Sequence, residues 1–254
     1  VRFACLGSGS KGNAWLVQAG GTRVMVDCGF GPRETAKRLA RLGLAVNELD
    51  AILVTHEHSD HGRGVAQVAA KARCAVWASH GCQAMLAAGG EGPGNAQVIH
   101  DHAPFAIGEL EVTPYPVPHD AREPLQFRFS DGEVGFGLLT DAGHVTQHMQ
   151  AMLAGCAALA LECNHDVAVL EAGRYPLALK RRILGRYGHL DNQTAAALLR
   201  QLAGPHLKHV VAAHLSQENN RPELAQAALA GALGCTRDWI AVADQENGLN
   251  WREI

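Results

Sequence analysis

Short, almost unbroken apolar runs recur along this chain, and between them apolar positions fall at helical spacing. Residues 2–6, 14–19 and 22–27 open the series, and 22–27 alternates polar and apolar side chains as a strand does. Further strands are predicted at 51–54, 74–78, 110–113, 125–129, 134–140, 157–161, 209–213 and 239–243. The run 157–161 is wholly apolar, as expected of a strand buried on both faces. Helical spacing appears over 33–42, ending at Gly43, then after Gly62 through Ala72, and over 80–88. It returns over 194–202 behind an Asp191/Asn192 cap, and over 222–233 with proline in the first turn. Strands and helices alternate throughout, which predicts an α/β (α+β) protein with both faces of its sheets covered. The glycine-rich residues 89–94 read as a loop rather than a boundary, so residues 1–254 are expected to form one domain.

Composition narrows the partners. With 254 residues, 47% of them hydrophobic, the chain can bury a substantial core. A net charge of −3 and a pI near 6.5 exclude sequence-wide basic character, so contact with nucleic acid would need a local patch. Seven scattered cysteines, odd in number and without a Cys-x-x-Cys pair, argue against a disulfide framework and for a reducing cytoplasm. No apolar run reaches the length of a membrane span, and the first residues do not read as a signal peptide.

The chemistry concentrates where strands end. Run 51–54 leads into Thr55-His56-Glu57-His58-Ser59-Asp60-His61-Gly62, a strand-to-helix loop in which side chains can converge. His56 and His58, two apart, share a side of an extended segment, and Asp60 and His61 can point at a neighbouring centre. Imidazole and carboxylate are ligands for zinc, manganese or iron in a hydrolytic site. Later strand ends deliver Asp141, Glu162 and His214, while Pro118 stiffens the backbone ahead of His119. A buried carboxylate such as Glu162 is costly unless paired. The loop from Gly7 to Asn13 could offer an anion its backbone N–H groups, making Ser10 and Asn13 candidate substrate contacts; a plain hairpin turn is the simpler alternative. Lys180, Arg181, Arg182 and Arg186, with Arg174, form a basic cluster leading to His189. Such a run is either a solvated helix face or a track for a phosphate backbone. His80, His100, His102, His148, His206 and His209 lack any motif, whereas His144 and His165 could orient a ligand.

The pattern His-x-His-x-Asp-His after a strand, a later lone histidine, an aspartate closing a strand and a last histidine resembles the metallo-β-lactamase superfamily. That resemblance implies an αββα sandwich, two mixed β-sheets flanked by helices. More narrowly, residues 6–13, Leu161-Glu162-Cys163-Asn164-His165-Asp166, Gly188-His189-Leu190-Asp191-Asn192 and His214-Leu215-Ser216-Gln217-Glu218-Asn219-Asn220 resemble the YycJ/WalJ family nearly end to end. This implies a metal-dependent phosphodiester hydrolase, a 5′-to-3′ exonuclease on DNA. It further implies two divalent ions (zinc or manganese, or iron) and a hydroxide between them. One ion would lie at His56, His58 and His119, the other at Asp60, His61 and His214, with Asp141 bridging and Asp60 also serving catalysis. Glu162 and His189 resemble a pair in the ribonuclease Z enzymes that assists the leaving oxygen, though Glu162 could equally stabilise the His189 loop. His119 and Asp141 are only 22 positions apart, too close for the substrate-gripping arm of ribonuclease Z. The 73 residues from Asp141 to His214 leave no room for the inserted domain of the ribonuclease J enzymes. The alternatives are a small-molecule or cyclic phosphodiesterase, a ribonuclease, or a regulatory protein that retains the fold without catalysis.

Overall fold

The strand runs sort into two sheets of seven. A computed structural model describes residues 1–89, 92–100 and 103–254; part of the 89–94 loop (Gly90, Glu91), Asp101 and His102 lie outside the described residues. Strands β1 (Arg2–Gly7), β2 (Ala14–Ala19), β3 (Thr22–Val26), β4 (Ala51–Leu53), β5 (Ala75–Ser79) and β6 (Ala96–Ile99) build the first sheet. The second is built by β7 (Phe105–Ile107), β8 (Leu110–Pro116), β9 (Leu125–Ser130), β10 (Gly135–Leu139), β11 (Ala158–Glu162), β12 (His209–Ala213) and β13 (Ala241–Val242). The final strand, β14 (Leu249–Glu253), returns to pair with β1. The resulting orders are β14-β1-β2-β3-β4-β5-β6 and β13-β12-β11-β10-β9-β8-β7.

Both sheets share one wiring. Each is antiparallel up to β3 or β10, where short turns suffice, and parallel beyond, where helical crossovers are required. In the parallel halves all carboxyl ends point the same way, and loops there are free to carry chemistry. Helices α1 (Pro32–Arg41), α2 (Ser59–Gly62), α3 (Val65–Ala72) and α4 (His80–Ala88) belong to the first half of the chain. To the second belong α5 (Gln147–Leu153), α6 (Val167–Ala172), α7 (Leu177–Ile183), α8 (Asn192–Leu202) and α9 (Pro222–Leu233).

The apolar runs lack polar alternation because both sheet faces are covered. In β2, Trp15 and Val17 face the other sheet, joining Phe3, Phe127, Phe129 and Phe136, while Leu16 packs with Leu39, Val65 and Val68 of α1 and α3. Phe3 and Phe136 stack across the sheets with centroids 4.3 Å apart. A third cluster joins Leu159 and Leu161 of the second sheet to Leu153, Leu198, Leu199 and Leu229 of α5, α8 and α9. The layers are therefore the expected αββα.

Some expectations needed adjustment. Strand β8 runs on to Pro116 because β7 pairs only with Leu110–Val112, leaving Pro114 and Pro116 where no further N–H donor is required. The strand expected at 239–243 shortens to β13, since residues 237–239 form a 3-10 turn. Asp60 and His61 lie on the single turn α2 rather than in open loop, as His58 accepts the N–H groups of both His61 and Gly62. Among the described residues, no helix is long and apolar enough to cross a membrane.

Candidate metal centre

Asp27, at the end of β3, organises the histidine motif. Its carboxylate accepts the Thr55 N–H at 2.8 Å and His61 Nδ1–H at 2.8 Å, with the Thr55 hydroxyl 2.9–3.0 Å from its two oxygens. Since that hydroxyl donates to Asp27, His56 Nδ1–H donates to the hydroxyl at 2.9 Å. Likewise His119 Nδ1–H donates to the Gly188 carbonyl at 3.1 Å. All three rings consequently turn Nε2 inward, the orientation that a hydrogen bond on the other nitrogen imposes on ligating histidines.

Two sets of donors converge. His58 Nδ1 lies 3.1 Å from His56 Nε2 and 3.3 Å from His119 Nε2. Beside this group, Asp60 Oδ2 is 3.5 Å from His61 Nε2 and 3.6 Å from His214 Nε2. Asp141 lies between them, its Oδ2 3.1 Å from His61 Nε2 and its Oδ1 3.5 Å from His214 Nε2 and 3.9 Å from His119 Nε2. Each set falls within 4.8 Å, as a shared cation requires. His214 Nε2 is buried without a hydrogen-bond partner, and Asp141 Oδ2 has only the His61 ring beside it, an arrangement costly in an apolar interior. Donors of these types suit a divalent cation, and the residues present fit that group.

Electrostatics agree. Burial holds His56 and His119 below the usual imidazole range, neutral and ready to ligate. Burial would do the same to His61 and His214, but the surrounding carboxylates, Asp141 foremost, outweigh it. His61 is pushed well up and His214 to about 10. Asp60 and Asp141, despite burial, are held low by these two rings. Without metal, protons on His61 and His214 thus offset the charge that cations would neutralise.

Glu162, at the end of β11, is fully buried, and its Oε2 accepts the N–H groups of Ala142 at 2.8 Å and Leu190 at 3.2 Å. Its Oε1 meets His189 Nδ1 at 2.7 Å. Burial opposes a charge on His189, but this carboxylate more than compensates and raises its pKa. Glu162 itself, against its own burial, is drawn down to about 2 by His189.

The loop from Gly7 to Asn13 works differently from expectation. Ser8 Oγ accepts the His214 N–H at 2.9 Å, and the Asn13 N–H donates to the Asp60 carbonyl at 2.7 Å. The Asn13 side chain is 1% exposed and engaged with Gly9 through both its oxygen and its amide. It clasps the motif and is not available to a substrate, whereas Ser10 is exposed and lines the cavity. The basic cluster also divides. Lys180 Nζ donates to the carbonyls of Glu171 and Gly173, tying α7 to α6. Arg182 enters the cavity wall with Nε 2.6 Å from Asp120 Oδ2. Arg181 and Arg186 are exposed outside that wall. His144 Nδ1–H holds the Arg186 carbonyl at 2.8 Å, while both His165 ring nitrogens are buried without a hydrogen-bond partner.

Above the donors lies a cavity of about 370 Å³ walled by His58, Asp60, Asp141, His189, His214 and Arg182 together with Tyr175, Leu179 and Ile183. Sequence reasoning missed Asp27, Asp120 and Gly188. Asp27 carried a signal, an aspartate ending an apolar strand as Asp141 does.

Residues 22–214 match the family described as Beta-lactamase superfamily domain. Exodeoxyribonuclease YycJ of Bacillus anthracis is 36% identical over 235 residues, covering 92% of this chain and 89% of that protein. Exodeoxyribonuclease WalJ of Streptococcus pneumoniae serotype 2 is 33% identical over 236 residues, covering 91% and 88%. The crystal structure of the metallo-beta-lactamase fold protein YhfI from Bacillus subtilis superposes with a TM-score of 0.76 over 100% of this chain and 98% of that one. At 14% identity, this last likeness concerns the fold alone.

Proposed function

The chain belongs to the beta-lactamase superfamily and, within it, to the YycJ/WalJ-like family, and from that premise we propose that it is a two-metal nuclease that shortens DNA from the 5′ end. One observation carries the reading: seven imidazole and carboxylate groups converge in overlapping sets, four of them (His58, Asp60, Asp141 and His214) lining the cavity, where His214 Nε2 is buried without a hydrogen-bond partner. His56, His58 and His119 would hold one ion, and Asp60, His61 and His214 the other, with Asp141 reaching both. Zinc and manganese suit these donors, as does iron. When bound, such ions acidify water and offset charge on the phosphate.

The chain's own groups supply the rest. Asp27 and Thr55 keep the His56 and His61 rings in the ligating orientation, and the Gly188 carbonyl does so for His119. Glu162, fixed by two backbone N–H groups, holds His189 charged and aimed at the cavity. An imidazolium so held is a general acid for a poor leaving group, an alkoxide oxygen of deoxyribose. Asp60 lines the cavity beside these groups, where its carboxylate can orient the attacking water.

The same cavity volume also suits a small phosphodiester. End-labelled DNA and RNA, incubated with zinc or manganese and read for product length over time, separate the readings. Mononucleotides released first from 5′-labelled DNA support the proposal. No cleavage of any strand beside rapid turnover of a small diester refutes it.

A further inference from the structure

The cavity has an asymmetric wall that the metal ligands do not explain. On one side stand Tyr175, Leu179, Arg182 and Ile183, and the last three fall at i, i+3 and i+4 on one face of α7. His189 belongs to this side, because its N–H is bonded to the Ile183 carbonyl at 3.0 Å. Apolar surface, one arginine and the proton donor thus come from a single segment. Residues 174–188 contain five cations and no acid, in a chain whose net charge is −3. Asp120 grips Arg182 through Nε, and among the described residues the terminal nitrogens of the guanidinium stay open while its direction is set. A side chain that is 57% exposed yet pinned in a cavity wall is arranged for an anion.

Building on the nuclease reading, we propose that this wall is a subsite for the 5′-terminal nucleotide, with Arg182 binding the 5′-phosphate and Tyr175 and Leu179 packing against the base. Size supports it. About 370 Å³ is at the small end of ligand cavities, which span roughly 300–1,000 Å³, and takes one nucleotide rather than several. Orientation follows from His189. The leaving group departs toward the proton donor, so the nucleotide on the His189 side is the one released, and its O3′ is the leaving atom.

The reaction balances on that basis. The bond between phosphorus and O3′ of the first nucleotide breaks. Water's oxygen, keeping one hydrogen, bonds to phosphorus, and its other proton is released. O3′ takes a proton from His189, which is reprotonated from solvent. The first nucleotide leaves with its 5′-phosphate and a 3′-hydroxyl, and the shortened strand retains the cleaved phosphate at its new 5′ end. Every cut therefore regenerates the group that Arg182 binds.

A signature follows that general phosphate attraction would not produce. Single-stranded DNA of one sequence, carrying either a 5′-phosphate or a 5′-hydroxyl, is labelled at the 3′ end and digested by the full chain with zinc or manganese. The first cut should be roughly ten- to a hundredfold faster on the phosphorylated strand, from the worth of a charge-assisted hydrogen bond. Later cuts should proceed at one rate on both. Arg182→Ala should bring the first-cut ratio near one, Arg182→Lys should restore part of it, and Asp120→Asn should lower it several-fold. Equal first cuts in the wild type or a ratio unchanged in Arg182→Ala would overturn the subsite and leave the nuclease reading intact, whereas release from the 3′ end would overturn the subsite and the 5′ polarity together. Failure to cut any DNA would remove both.

Discussion

Replacing Asp27 by asparagine tests the site at a residue that lies outside the cavity lining and is none of the seven candidate ligands. The carboxylate accepts from the Thr55 N–H, the Thr55 hydroxyl and His61 Nδ1. An asparagine has one acceptor, and satisfying Thr55 turns its NH₂ toward His61 Nδ1, formerly 2.8 Å from an oxygen. Two donors would then face each other, and the ring would move its proton to Nε2, the atom needed for a metal. Losing such an orienting carboxylate costs about 10–100-fold in metal affinity, or about 1.4–2.7 kcal/mol. The measurement is a zinc titration against a competing chelator, with circular dichroism to confirm the fold. The equivalent held by Asp60, His61 and His214 should weaken within that range, and the other less. Wild-type affinity for both equivalents would refute the tautomer argument.

Three further outcomes follow. His189→Ala should retain both metals yet lose roughly 10²–10⁴ in turnover on DNA, with a far smaller loss on a nitrophenyl diester whose leaving group needs no proton; equal losses would assign His189 a positioning role. Because His214 is raised to about 10 in the metal-free chain, cation uptake at pH 7 must displace its proton, so affinity should climb with pH and calorimetry in buffers of different ionisation enthalpy should register release. The same shift favours the metal-free fold fully below the unfolded value of about 6.5, and the benefit fades as pH rises toward 10. Gly29→Ala would place a Cβ 1.8 Å from the Asp60 carbonyl, and the displacement should lower the melting temperature by roughly 2–12 °C, from about 1–3 kcal/mol of overpacking.

The sequence made the strands legible wherever both faces are buried, because a short unbroken apolar run between turn residues fits a covered sheet better than an exposed segment. β6 and β7 escaped notice because they are short and, at Ala96–Val98, exposed. β14 escaped because Leu249–Glu253 is a partly exposed edge strand carrying mostly polar residues. The His56–His61 cluster was visible because dense imidazole after a buried strand is rare, and Asp141 and His214 because each ends such a strand. Asn13 was misjudged for a physical reason. A loop rich in Gly and Ser looks the same whether its N–H groups face an anion or its asparagine clasps the neighbouring turn; only the distance to Asp60 separates the cases. The basic run was likewise ambiguous, since sequence cannot say that Lys180 caps α6 while Arg182 turns inward.

Backbone conformation shows what the site asks of the fold. Among the described residues four non-glycine positions have positive φ: Asp27 at 61°, Arg73 at 59°, Asp141 at 51° and His214 at 55°. Arg73 ends α3, an ordinary place for a left-handed residue. The other three end β3, β10 and β12, where each chain turns sharply out of its sheet and aims a side chain at the centre. Such conformations cost on the order of 1–3 kcal/mol each and persist only where surrounding structure overdetermines them. Here the clasps do so: Ser8 holds the His214 N–H, Glu162 holds the Ala142 N–H beside Asp141, and the Asp27 N–H is bonded to Leu53. Glycine would relieve the strain at any of the three but would remove a side chain that the centre needs: a ligand at Asp141 or His214, the carboxylate that orients His61 at Asp27. Local backbone preference therefore yields at the strand ends to the geometry of the site, and the strain is borne by two sheets whose shared core contains Phe3, Trp15, Phe127 and Phe136.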